Sequence, residues 1–131
     1  MKHLFLLLAL GAASLGAHAQ EWISVASGKN DEYYVLKGSY ELRQNRSGEE
    51  IAVVTGKNDD RAARQINLEK WYVRTEDCRR KQGKMVTLNM DGNFKYEFDF
   101  IFGAGSVGSA KAEFVCAVYL YQTLERDKKG L

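Results

Sequence analysis

The sequence predicts an α+β domain, an antiparallel meander of about six strands followed by a C-terminal helix. Three observations carry that reading. Short runs of Ile, Val and aromatic residues recur between clusters of Gly, Asn and Asp, with no proline among the 131 residues and 12 glycines to make the turns. One pair of runs alternates cleanly, with Val86, Leu88 and Met90 in one and Phe94, Tyr96, Phe98 and Phe100 in the other. The last long segment instead spaces Ala110, Phe114, Ala117, Val118 and Tyr121 at helical intervals.

In chain order, Met1 to Ala19 reads as a secretory signal peptide that is cleaved. Lys2 and His3 supply a positive start, Leu4 to Leu10 a short apolar run, and Ala17-His18-Ala19 an A-x-A exit. The apolar run is far short of the ~20 residues that span a bilayer, so no transmembrane segment is expected after its removal. About 112 residues remain, a single domain over residues 20–124 with a charged tail at 125–131.

The strands are expected at Trp22 to Ala26, Tyr33 to Lys37, Glu50 to Thr55 and Leu68 to Glu76, then in a hairpin. Gly28-Lys29-Asn30-Asp31 recurs as Gly56-Lys57-Asn58-Asp59, which reads as two strands ending in the same turn chemistry. Asp59 to Arg64 reads as a turn or short helical connection. In the hairpin, a two-residue Asp91-Gly92 turn would set Leu88 against Lys95. A three-residue loop, Asp91-Gly92-Asn93, instead pairs Met90 with Phe94, Leu88 with Tyr96 and Val86 with Phe98, so that register is expected. Gly103 to Gly108 is a crossover. Ser109 to Leu124 favours a helix capped by Ser109, with a fully buried strand as the alternative.

Both histidines lie in the leader, so the mature chain has none. This argues against Ser-His-Asp and Cys-His nucleophile systems and against His-rich zinc sites. No catalytic residue, metal or cofactor is expected. Gly103-Ala104-Gly105-Ser106-Val107-Gly108 fits G-x-G-x-x-G, but no second parallel strand or acid follows to complete a dinucleotide site. Glu97 and Asp99 share one strand face, the solvated one. Asn45-Arg46-Ser47 is a glycosylation sequon, informative only in a eukaryotic source. Cys78 and Cys116, an even number in an exported chain, imply a single disulfide, with a pair of free thiols as the alternative.

Removing Lys2 leaves a net charge near +1, so any electrostatic partner must meet a local patch. Arg74, Arg79, Arg80, Lys81 and Lys84 form the distinct cationic cluster, a candidate for anionic glycans or an acidic protein surface. Its plain alternative is a solvated strand end. Trp22, Tyr33, Tyr34, Trp71 and Tyr72 are candidates for an interface, though most should belong to the core.

Trp22 followed by Val25, then Tyr33-Tyr34-Val35, the polar Ser39 to Arg43 stretch, Glu76-Asp77-Cys78-Arg79 and a late Cys116 resemble the surface-adhesin protein E-like family of exported bacterial proteins. The resemblance covers nearly the whole mature chain through short motifs. It implies a C-terminal helix packed on one face of the sheet and fastened there by a bridge from Cys78, at a strand end, to Cys116. The sequence departs from the family at Leu36-Lys37-Gly38, where an acidic residue is usual, and in the glycine-rich loop. The functional expectation is an exported, non-enzymatic envelope protein, adhesin-like, that binds a protein or glycan partner in the periplasm or at the cell surface and does not bind nucleic acid. Its competitors are a small periplasmic inhibitor that inserts a loop such as Gly103 to Gly108 into an enzyme, and a carboxylate-dependent hydrolase.

Overall fold

The computed structural model describes residues 19–130. The leader, except Ala19, and Leu131 lie outside the described residues. The architecture is α+β as expected: β1 (Trp22–Ser27), β2 (Asp31–Leu36), β3 (Glu41–Gln44), β4 (Glu50–Asp60), β5 (Gln65–Arg74), a short α1 (Thr75–Arg80), β6 (Gln82–Asn89), β7 (Phe94–Ile101) and α2 (Val107–Lys129). Every strand pair is antiparallel, in the order β1-β2-β4-β5-β6-β7, with β3 also beside β4.

β2 and β3 are two stretches of one interrupted strand along β4, for β2 pairs with Val35↔Gly56 onward and β3 with Glu41↔Val53 onward. Ser39 fills the break. Its Oγ donates to Leu36 O at 2.7 Å and accepts the Thr55 N–H at 3.0 Å, so the backbone groups released by the interruption stay partnered. β3 is absent from the sequence reading because Glu41-Leu42-Arg43-Gln44 shows no apolar alternation and all four residues are on the exposed side; pairing with β4 makes it a strand. The Asp59 to Arg64 connection reduces to a turn at 61–64, with Asp60 Oδ1 accepting the Ala63 N–H.

One face of the sheet is sealed by α2. Val35, Ala52, Val54, Trp71, Val73, Met85 and Phe100 pack against Ala112, Val115, Cys116 and Tyr119. Gly56 makes room for this layer, because a Cβ there would stand 2.2 Å from the Trp71 ring. The Cys78–Cys116 disulfide joins α1 to α2, so Cys78 sits on a helical turn and not at a strand end. Its two Cα atoms are 5.1 Å apart, within the usual range for a bridge.

Three local expectations are corrected. The β6–β7 hairpin is shifted by one residue at Val86, which faces Glu97 while Met85 faces Phe98, and by two at Leu88, which faces Phe94, with Lys95 as the extra residue of a bulge. Both faces of β6 carry apolar side chains, and it is Met85, not Val86, that meets the helix. The α2 cap is Ser106, whose side chain accepts the Ser109 N–H, while Ser109 itself is buried. The buried stripe runs through Ser109, Lys111, Ala112, Val115, Cys116 and Tyr119, so Ala117 and Tyr121 face out. The helix continues through the charged segment to Lys129, with Arg126, Lys128 and Lys129 in its last turn complementing the dipole. No helix among the described residues is long and apolar enough to cross a membrane.

Candidate functional site

The cationic cluster singled out in the sequence is brought together around α1, but much of its charge is already matched. Arg74 reaches Asp77 through Nε and Nη2, at 3.1 and 2.9 Å, and Glu49 through Nη1 at 2.6 Å. Those bonds raise the Arg74 pKa and hold that of Glu49 below the usual carboxylate value. Arg79 donates to the Tyr119 hydroxyl at 2.6 Å, tying α1 to α2. Lys84 pairs with Asp99 at 2.8 Å, and that bond raises the lysine's pKa. Arg80 and Lys81 are exposed and make no ion pair among the described residues. These two, and Arg79, whose one bond is to a neutral hydroxyl, keep an unmatched charge for an anionic partner.

A larger feature lies on the sheet face away from α2. Alternation sends Ile51 and Val53 of β4, Lys70 and Tyr72 of β5, and Val86 and Leu88 of β6 outward. Register aligns them in rows: Val53 beside Tyr72 beside Val86, and Lys70 beside Leu88. With the turns at 45–47 and 90–93, they form an open groove of about 690 Å³. Its floor is Ile51, Val53, Tyr72 and Leu88, while Met90 and Phe94 at one end are 49% and 61% exposed. Arg43, Arg46 and Lys70 line it against the single acid Asp91. Farther along the same face, Lys57 lies over the rings of Trp22 and Tyr34, at 4.4 and 4.6 Å, and Ile66 and Leu68 are exposed. The aromatic candidates therefore divide. Tyr33 and Trp71 turn inward, whereas Trp22, Tyr34 and Tyr72 form the open face.

The inner face holds a polar site that sequence reasoning missed. Glu69 is buried and accepts from Trp71 Nε1 at 2.9 Å and from Lys95 Nζ at 2.6 Å. The β7 bulge turns Lys95 toward it. Lys111, 3% exposed, places its ammonium 4.3 Å from the Tyr33 ring centroid and 4.4 Å from that of Trp71, with Tyr96 and Phe98 beyond. Burial pushes its pKa down to about 8, although Glu69 and Asp31 pull the other way. A lysine in a helix reads as a solvated residue. The signal that could have found it is Cys116, which marks the sheet-facing side of α2 and places Lys111 at the margin of that stripe.

Acids do not converge unmatched in these clefts. Asp77 and Asp99 border one shallow cleft beside β6, yet each is ion-paired, to Arg74 and Lys84. Glu97 is exposed, on the solvated face expected for it. Asn45 of the sequon is engaged in its own turn, with Oδ1 accepting the Glu49 N–H and Nδ2 donating to the Glu49 carboxylate. The glycine-rich crossover is a short connection at 102–106. Phe102 packs against the core and its N–H donates to Lys81 O.

Fold and surface together define a disulfide-fastened α+β domain with one sheet face sealed and the other open. No family model, curated protein or solved structure matches the chain.

Proposed function

We propose that this is an exported, non-enzymatic binding domain whose open sheet face receives a partner protein carrying an apolar segment flanked by acidic residues. The observation that carries this reading is the groove itself. Tyr72 and Leu88 on its floor are half-buried and Met90 and Phe94 at its end are exposed, while Ile51 and Val53 are buried between their neighbours; three cations line it against one acid, Arg43 being paired with Glu41. Large exposed apolar surface on a small domain marks interaction sites, and the charge imbalance selects an acidic counterpart. The disulfide is compatible with an oxidising compartment, and the resemblance to surface-adhesin protein E-like proteins supports an envelope setting.

The loop-inserting inhibitor has less support, because the glycine-rich connection is short and anchored at Phe102. Pull-down from envelope and host-matrix extracts identifies the partner, and paired variants locate it. Tyr72→Ser with Leu88→Ser should abolish capture and Arg80→Ser with Lys81→Ser should preserve it, with capture weakening as salt rises. The reverse pattern would move the site to α1 and overturn the open-face assignment. Equal capture by both variants would also overturn it.

A further inference from the structure

A second cleft opens between β2, β7 and the first turn of α2, bordered by Tyr33, Tyr96, Phe98, Val107, Gly108 and Lys111, with Ser106 and the acid Asp99 at its edge. Two independent features point to the same kind of ligand. Val107 and Gly108 are the first two positions of a 23-residue helix, so their N–H groups have no intrahelical acceptor and sit at the positive end of the dipole. Lys111 lies one turn on, and helical side chains lean back toward the N-terminus, which directs it to the same place. The residue is almost wholly buried, and its ammonium makes no ion pair among the described residues and borders the cleft. Aromatic faces attract the charge but satisfy none of its three N–H donors.

The other charges near it are already engaged. Asp31 on β2 accepts from the Tyr33 hydroxyl at 3.1 Å, Glu69 on β5 is matched by Lys95 on β7, and Asp99 on β7 by Lys84. Lys111 thus has no acid within ion-pairing distance among the described residues, and Asp31, bonded only to a neutral hydroxyl, and Glu69 act on it from farther off. Gly108 keeps the helix end close to the wall, since a Cβ there would meet the Phe98 ring at 2.6 Å.

We infer that this cleft binds a small organic carboxylate with an apolar or aromatic body, its oxygens held between the Lys111 ammonium and the N–H groups of Val107 and Gly108. The body of the ligand lies against Tyr33, Tyr96 and Phe98. A bound anion favours the charged lysine, so affinity is highest between the ligand's own carboxylate titration and the ligand-free lysine pKa of about 8, and falls about tenfold per pH unit above it, until the bound-state pKa is passed.

Benzoate is the probe, followed by NMR of protein labelled at the backbone amides and at lysine carbons. Saturable shifts of the Val107 and Gly108 amides, a raised Lys111 titration midpoint and weaker binding at higher pH are expected. Benzyl alcohol, of the same shape without the charge, should bind at least tenfold more weakly. Lys111→Met, which keeps an apolar stem, should abolish the benzoate response while leaving partner capture on the open face intact. Absent shifts up to the solubility limit of benzoate, equal binding of the alcohol, or a pH-independent affinity in the unaltered protein would each overturn the assignment. A folded Lys111→Met variant that still binds benzoate would do the same.

Discussion

The two faces of this sheet are drawn from alternate residues of the same strands, yet one is sealed and the other is open. On β5, Trp71 and Val73 disappear under α2, while Lys70 and Tyr72 beside them face outward. The difference does not lie in hydrophobicity, since Ile51, Val53, Val86 and Leu88 are as apolar as the residues opposite, and the first three are themselves buried by neighbouring side chains. It lies in what the chain supplies as cover. One helix, fastened by a single disulfide, is enough for one face. The groove on the other face, with Met90 and Phe94 exposed at its end, is the surface proposed above for a partner.

The largest expected loss comes from within the sealed face. Trp71→Ala removes the central ring and the Nε1–H bond to Glu69, and should destabilise the protein by about 5 kcal/mol in chemical denaturation. A cost below about 1 kcal/mol would show that the layer repacks freely. Removing the bridge with Cys78→Ser and Cys116→Ser reopens a long loop in the unfolded chain and should cost roughly 4 kcal/mol. An unchanged melting temperature would mean that packing alone holds α2.

Lys111 supplies a pH-dependent contrast within the sealed face. Its folded pKa is depressed to about 8 from 10.5, so between those values the unfolded chain binds more protons and stability rises with pH. Below pH 8 the penalty is fully present, of the order of 3 kcal/mol. Lys111→Met should therefore be more stable than the parent at pH 7, by an amount that shrinks by pH 9.5. Tyr33, Tyr72 and Tyr96, whose pKa values are raised chiefly by burial, act in the opposite sense but are common to both proteins. A pH-independent difference would count against a desolvated lysine. The smallest stability effect belongs to the open face, where Met90→Ser should change stability by less than about 0.5 kcal/mol while weakening partner capture.

Much of this fold was legible because its cues are local. Alternation through Phe94 to Phe100, the Gly-Asn-Asp turns and two cysteines were sufficient for the meander, the final helix and the bridge. Register was not legible, because Met85 and Thr87 compete with Val86 and Leu88 for the core and the Lys95 bulge resets the pairing. The helix face was displaced for a related reason: a lysine and a serine occupy its buried stripe, while Ala117 and Tyr121 face out. At the candidate site, the five clustered cations were visible as residues, but the Arg74–Glu49 and Lys84–Asp99 pairs cross between elements distant in sequence, and only Asp77 stands close to Arg74 along the chain. The groove depends on which alternate residues share a row, and rows exist only once register is set.

Oxidative footprinting of side chains, with and without the captured partner, tests the open-face assignment most directly. Tyr72, Met90 and Phe94 should lose reactivity on binding, while Tyr121 on the outer side of α2, 61% exposed, keeps its own. Protection of Tyr121 with Met90 and Phe94 unchanged would contradict the account.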